Sequence, residues 1–176
     1  MREPVLDGDG FVLRPWRDDD LDALAEMNAD PVGMAHFPAT VDRERSASLI
    51  ERERESLAAT GLGLRVVDLE GRFAGFVGLS RVTRRTPIHG EVEVGWGLAR
   101  WAWGRGLATR GARLAIEDGR RRLGVGDVYA ATSVHNARSE AVMVRLGMSR
   151  RPDLDYVLEE FPDWPGSPHV VYVLIR

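Results

Sequence analysis

Along the chain the apolar positions change period from two to about 3.6 and back, and each change marks an element. The sharpest change lies between Glu91 and Thr109. Val92, Val94, Trp96 and Leu98 alternate with Glu91, Glu93, Gly95 and Gly97, which predicts a strand over 91–98. From Leu107 the small and apolar residues Leu107, Ala108, Gly111, Leu114 and Ala115 share one face of a helix. Upstream, residues 11–16 predict a first strand ended at Pro15, and the acidic run Asp18-Asp19-Asp20 is placed to cap a helix that buries Leu21, Leu24 and Ala25. That helix stops near Asp30-Pro31. A second helix is expected over 42–59, with Ala47, Ile50, Leu57 and Ala58 as its buried stripe and Gly61 as its stop. The charged run from Glu51 to Glu55 reads as a solvated face of it.

Strands at 62–68 and 73–80 lie so close together, through Glu70-Gly71, that an antiparallel hairpin joins them. A polar loop over 81–90 leads into the 91–98 strand. Past the helix that begins at Leu107, Arg120-Arg121-Arg122 suit the negative end of its dipole and Gly124 and Gly126 break it. The strand at 127–134 is reached through that crossover helix, so it should run parallel to 91–98. Asn136 is the cap of a further helix over 137–146, closed by Gly147. The rest, 148–176, carries Pro152, Pro162, Pro165 and Pro168 in a long loop before a last strand at 169–175. This order of elements predicts an α+β fold.

Composition narrows the function. The 176 residues, 44% hydrophobic, fit a single domain over 1–176 with a substantial core. A net charge of −3 argues against a general nucleic-acid binder. With no Cys there is no disulfide, thiolate nucleophile or thiolate-held metal, and His36, His89, His135 and His169 are too scattered for a metal motif. The chain opens on Met-Arg-Glu-Pro without the apolar segment of a secretion signal, and no apolar run reaches membrane length, so a soluble cytoplasmic protein without a membrane partner is expected.

Between the strand and the helix stands Trp103-Gly104-Arg105-Gly106. Glycines there let a ligand approach the backbone, and the N–H groups of a helix start favour phosphate; a plain tight turn is the alternative reading. A P-loop is excluded, since it needs Gly-Lys-Ser/Thr and the chain has no Lys. A dinucleotide fingerprint fits no better: Thr109 stands where its third Gly would be, and His135 and Asn136 where its acidic residue would be.

The segment Trp101-Ala102-Trp103-Gly104-Arg105-Gly106 resembles motif A of the GNAT superfamily of N-acetyltransferases, Gln/Arg-x-x-Gly-x-Gly/Ala, with Trp101 departing at the first position. The wider run Glu93-Val-Gly-Trp-Gly-Leu with Trp-Gly-Arg-Gly-Leu-Ala-Thr is similar to the RimJ/RimL branch, whose members acetylate protein N-termini or small amines. Asn136-Ala-Arg-Ser139, followed by Leu146-Gly147-Met148, is like the family's Asn-x-x-Ser/Ala and Leu-Gly-Phe. The resemblance spans about residues 11–148 plus the last strand. It implies a mixed, mostly antiparallel twisted sheet flanked by helices, with two parallel strands splayed to form an acetyl-CoA cleft.

It further implies that the main chain of Trp96, Gly97 and Leu98 holds the pantetheine arm. Trp103, Gly104, Arg105, Gly106, Leu107, Ala108 and Thr109 would hold the pyrophosphate, with Arg105, Arg110 and Arg113 as candidate cations. Asn136 would touch the pantetheine or orient the cleft, beside its capping role. Many members carry a Tyr as general acid where Met143 stands here, and in the RimJ/RimL branch a Ser at the place of Ser139 has that task, so Ser139 is the candidate acid. Glu93, matching the branch's Glu-Ile-Gly-Trp, is the candidate base, since the acceptor amine must lose its proton. No Cys and no Gly-x-Ser-x-Gly elbow offers a nucleophile, which favours direct attack by the amine. His36, Asp155 and Tyr156, in loops rich in acidic and aromatic residues, are the candidate acceptor contacts. Acetyl-CoA is then the co-substrate, with no metal, and the partner is an amine acceptor, a peptide N-terminus or a small amine. An antibiotic-type amine acetyltransferase and a non-catalytic acyl-CoA sensor are the competing readings. A homodimer is admitted as an assembly.

Overall fold

In the computed structural model, which describes residues 4–176, nine strands form one sheet with helices on both faces. The start Met-Arg-Glu lies outside the described residues. A hairpin absent from the sequence prediction opens it: β1 (Leu6–Gly8) pairs antiparallel with β2 (Phe11–Arg14) across Asp9-Gly10. The strand ends at Arg14, short of the expected 11–16. Trp16 instead turns off the sheet, lays its ring against Phe73 and Phe76 with centroids 6.1 and 6.2 Å away, and donates Nε1–H to the Leu64 carbonyl at 2.8 Å.

Helices α1 (Asp20–Ala29) and α2 (Arg43–Thr60) follow. The acidic run does not cap α1 through a side chain. Asp20 is buried, and its carboxylate accepts from Arg14 at 2.7 and 2.8 Å and from the Arg17 N–H at 2.7 Å; Asp68 takes Arg14 Nε–H at 2.7 Å. A buried guanidinium claims both acids, and that outweighs a cap. On α2, Asp42 accepts the Arg45 N–H at 2.8 Å and Gly61 closes the helix at φ 75°. The buried stripe is Ser46, Ile50, Glu53 and Leu57, whereas Ala58 is exposed and Ala47 half-buried. Polar side chains win these positions because each meets a polar partner: Ser46 Oγ accepts from Asn28 Nδ2 at 3.0 Å, and Glu53 Oε2 accepts the Leu64 N–H at 2.8 Å. Glu53, only 6% exposed, is therefore not part of a solvated face.

The expected hairpin is present as β3 (Gly63–Leu69) and β4 (Arg72–Arg81), turning through Glu70 and Gly71 at φ 55° and 81°. Then come β5 (Val92–Leu98), antiparallel to β4, and α3 (Leu107–Leu123), which crosses to β6 (Val128–Ser133), parallel to β5. α4 (Ala137–Arg145) leads to β7 (Ser149–Arg150), β8 (Tyr156–Val157) and β9 (Pro168–Leu174). β9 pairs antiparallel with β6 on one side and with β7 and β8 on the other, so the expected long loop is broken by two short strands. Two-residue strands carry no periodic pattern to read.

One core lies between the sheet and α3, around Val77, Leu79, Val94, Leu107, Ala112, Ile116, Val128 and Met143. A second, around Trp16, Leu24, Ile50, Val66 and Phe73, joins the opposite face to α1 and α2, and a smaller third gathers Val82, Ile88 and Val171. No described helix is long and apolar enough to cross a membrane.

Candidate active site

β5 pairs with β4 along seven register positions but with β6 at one, Glu93 opposite Tyr129. Beyond that pair the parallel strands separate. The parity of β5 decides which groups face the gap. The Val82 N–H bonds the Glu91 carbonyl at 2.9 Å and the Ala99 N–H bonds the Ala74 carbonyl at 3.0 Å, so the odd-numbered residues between them turn their polar groups to β4. Trp96 and Leu98 therefore present N–H and C=O to the gap, while those of Gly97 face Phe76. The Leu98 carbonyl already accepts Trp103 Nε1–H at 2.8 Å. What remains open is a short edge that an extended amide chain can bond as a strand would.

From the end of β5 the chain passes through one short 3-10 turn to the start of α3. Gly104 and Gly106 have φ of 75° and 70°, the left-handed region that disfavours side chains. Gly106 is the N-cap, and the first intrahelical bond is Arg110 N–H to the Gly106 carbonyl at 3.0 Å, so the N–H groups of Leu107, Ala108 and Thr109 have no partner within the helix. Aligned N–H groups at the positive end of a 17-residue helix suit a pyrophosphate. Of the candidate cations, Arg105 is exposed. Arg110 braces the loop instead, donating to the Arg105 carbonyl at 3.1 Å and the Asp9 carbonyl at 2.6 Å, and Arg113 donates to the Arg145 carbonyl at the end of α4. Trp101 serves as a platform, with Arg72 stacked 3.8 Å from its ring. Arg138, unmarked in the sequence reading, sits 4.2 Å over the Trp103 ring and adds a cation beside the loop.

Across the gap, Asn136 Oδ1 accepts the Ser139 N–H at 3.2 Å and so starts α4. Ser139 Oγ accepts Trp96 Nε1–H at 3.3 Å. The indole thereby leaves the serine proton as the one to be donated, and it ties β5 to α4 over the gap. This role for the Trp96 side chain was not legible, because nothing in the sequence says that residues 43 apart meet. Met143, which stands at the place where the resemblance would put a Tyr, is buried in the core.

The other face of β5 carries Glu93, Gly95 and Gly97. The Glu93 side chain is 21% exposed; Ser80 Oγ donates to its Oε1 at 3.5 Å and Arg84 stands 3.9 Å from the same oxygen. Burial pushes the Glu93 carboxyl up, Glu53 adds to this, and Arg84 and Ser80 pull it partly back. Tyr156 is half-buried on this side and stacks on His169, ring centroids 5.2 Å apart. Burial raises the Tyr156 phenol and lowers the His169 imidazole, and the charge of Arg84 acts on both. Tyr156 thus joins Glu93. His169 is brought to this side as well, a neighbour of Tyr156 that its place at the head of a strand did not reveal. Asp155 is held elsewhere: Arg150 grips both its oxygens at 2.6 and 2.5 Å and the Val171 N–H adds a third bond, so this carboxylate fixes the loop. His36 lies half-buried in the loop between α1 and α2. Among the described residues, no group of three or more His, Asp or Glu is arranged to hold a metal ion.

A sheet split at one parallel pair, an open backbone edge and a helix start with free N–H groups are the features that the GNAT resemblance implies for an acetyl-CoA cleft. Residues 11–149 match the model of the acetyltransferase (GNAT) domain, and the chain belongs to that family. Solved structures share the fold. An acetyltransferase from Agrobacterium tumefaciens superposes with a TM-score of 0.82 at 22% identity, covering 100% of this chain and 96% of that one. An acetyltransferase of Salmonella typhimurium that modifies the N-terminal serine of the ribosomal protein L7/L12 gives 0.81 at 14% identity, covering 98% and 99%. Mycobacterium smegmatis RimJ, in complex with CoA-disulfide, gives 0.74 at 18% identity, covering 98% and 86%.

Proposed function

We propose that this chain, as one catalytic domain, transfers the acetyl group of acetyl-CoA directly to a primary amine, with a protein N-terminus such as that of a ribosomal protein as the acceptor class, in the cytoplasm. The observation that carries the reading is the join of Trp96 to Ser139 across the gap, with Glu93 on the opposite face of the same strand. Trp96 and Leu98 would hold the pantetheine amides, and the N–H groups from Gly104 to Thr109 the pyrophosphate. The donor supplies an activated thioester. Glu93, with its carboxyl raised by burial, takes the proton of the acceptor ammonium. Ser139, held by Trp96, gives its proton to the leaving sulfur and regains one from the nitrogen as the amide forms. Tyr156 and His169 wall the acceptor side.

The fold likeness to the Salmonella protein supports a peptide acceptor over an antibiotic-type amine. A thiol-release assay with N-terminal peptides and small amines tests the reading. Turnover is expected on peptides, and Ser139→Ala should lower kcat by about 10²-fold or more while donor binding persists. Donor binding with no turnover on any amine would instead establish an acyl-CoA sensor, and acetylated protein seen by mass spectrometry would replace direct attack with a covalent route.

A further inference from the structure

The loop between β4 and β5 is built as a rigid wall. The Gly90 N–H bonds the Val82 carbonyl at 2.8 Å, the His89 N–H bonds the Thr86 carbonyl at 3.0 Å, and Arg81 reaches the Gly90 carbonyl at 2.6 Å. The imidazole of His89 holds the Arg84 carbonyl at 3.0 Å. Opposite this wall stands the segment after β8, and the two enclose a pocket of about 110 Å³ lined by Arg84, Arg85, Thr86, Tyr156, Glu159 and Glu160. Two guanidinium groups therefore line one side of a pocket whose neighbour is Glu93.

Two features of this wall are incomplete. Thr86 Oγ1 is closed off from solvent and has no hydrogen-bond partner among the described residues, which a fold does not leave without reason. Arg84 stands 3.9 Å from Glu93, close enough for attraction and too far for a hydrogen bond, so its fork of donors is not used by that carboxylate. A planar anion in the pocket would accept from the Arg84 guanidinium, and a turn of the Thr86 side chain, which belongs to the same lining, would give its hydroxyl the partner it lacks. The reactive amine meanwhile needs to reach Glu93, next to Arg84. Glu159 and Glu160, on the outer wall, suit the cationic remainder of such a molecule.

We infer that the acceptor carries a carboxylate close to its reactive amine, and that Arg84, Arg85 and Thr86 bind this carboxylate while Glu93 receives the ammonium. This rests on the amine-acetylating reading above and narrows its substrate class. The chemistry has two sources, an acidic residue at the start of a peptide or a free amino acid.

The test compares peptides beginning Ser-Asp and Ser-Asn, otherwise identical, with free serine and free aspartate as separate arms. Both kcat/KM and affinity by calorimetry in the presence of CoA are measured. The Asp peptide should be preferred over the Asn peptide by about tenfold, the worth of one charge-assisted hydrogen bond. In Arg84→Gln/Arg85→Gln that ratio should fall to about one, and in Thr86→Val it should shrink. A stronger response from the free amino acids would assign the source to small molecules. Equal use of the two peptides and of the charged and neutral acceptors by the wild type, or a preference that survives in the double variant, overturns the inference. If no acceptor turns over, the calorimetric ratio still decides the carboxylate site, and only the catalytic reading fails.

Discussion

Burial favours the neutral form of the Glu93 carboxyl, and in the proposed reaction the same burial makes it a readier proton acceptor than an exposed carboxylate. The sign of the stability effect follows from the raised folded-state pKa. The fold binds this proton more tightly than the unfolded chain, so stability declines as pH rises from the ordinary carboxylate value through the raised one. Glu93→Gln, which keeps the shape without the charge, should raise Tm at pH 8, by about 2–4 °C per kcal/mol relieved, and the gain should vanish below the ordinary carboxylate pKa while turnover falls. A Tm at pH 8 that is unchanged or lower would show that the carboxylate is not penalised. Alternation of apolar and polar positions placed Glu93 on a strand, and motif spacing placed Ser139 one turn into a helix. Asp155 was misleading for a physical reason: an acid in a polar loop looks available, and only the fold brings Arg150 and the Val171 N–H onto it.

Among the elements, those long enough to show a period were readable and the short ones were not. β5 and α3 run 7 and 17 residues, and their positions were evident from the chain alone. β1, β7 and β8 have two or three residues each, and they exist because neighbouring strands offer them an edge. α2 shows the other limit, since the pattern marked its span but not that Ser46 and Glu53 are buried with partners on other elements. The start of α3 depends on its cap. Gly106 at φ 70° has open space around it, with only Arg110 Nε 3.8 Å from where a Cβ would stand, so a side chain there meets backbone strain rather than a clash. Gly106→Val should cost about 1–3 kcal/mol and swing the first N–H groups of α3 out of line. Donor affinity should fall about tenfold or more, read by calorimetry with CoA, while the far-ultraviolet circular dichroism stays native. Unchanged affinity would remove the helix start from donor binding.

At the scale of the whole molecule, Arg14 joins β2, α1 and β3 by gripping Asp20 and Asp68, with all three side chains at most 10% exposed. Burial alone would raise the Asp20 carboxyl, but the hydrogen bonds from Arg14 and Arg17 hold it below the usual range. Arg14→Met would leave two carboxylates enclosed without their cation. It should lose about 3–5 kcal/mol in urea unfolding, and adding Asp20→Asn and Asp68→Asn should restore part of that. An Arg14→Met protein as stable as the parent would show that the acids find other partners.

The sheet has its weakest seam where β5 and β6 touch at a single pair. A donor lying in that seam would supply hydrogen bonds that no strand of the protein makes, and would act as a removable tenth member of the sheet. The reserve of bound donor would then govern how long each copy survives, and a starved cell would hold a pool of this enzyme with an unsealed interior edge, open to proteases and to stray strands of other chains.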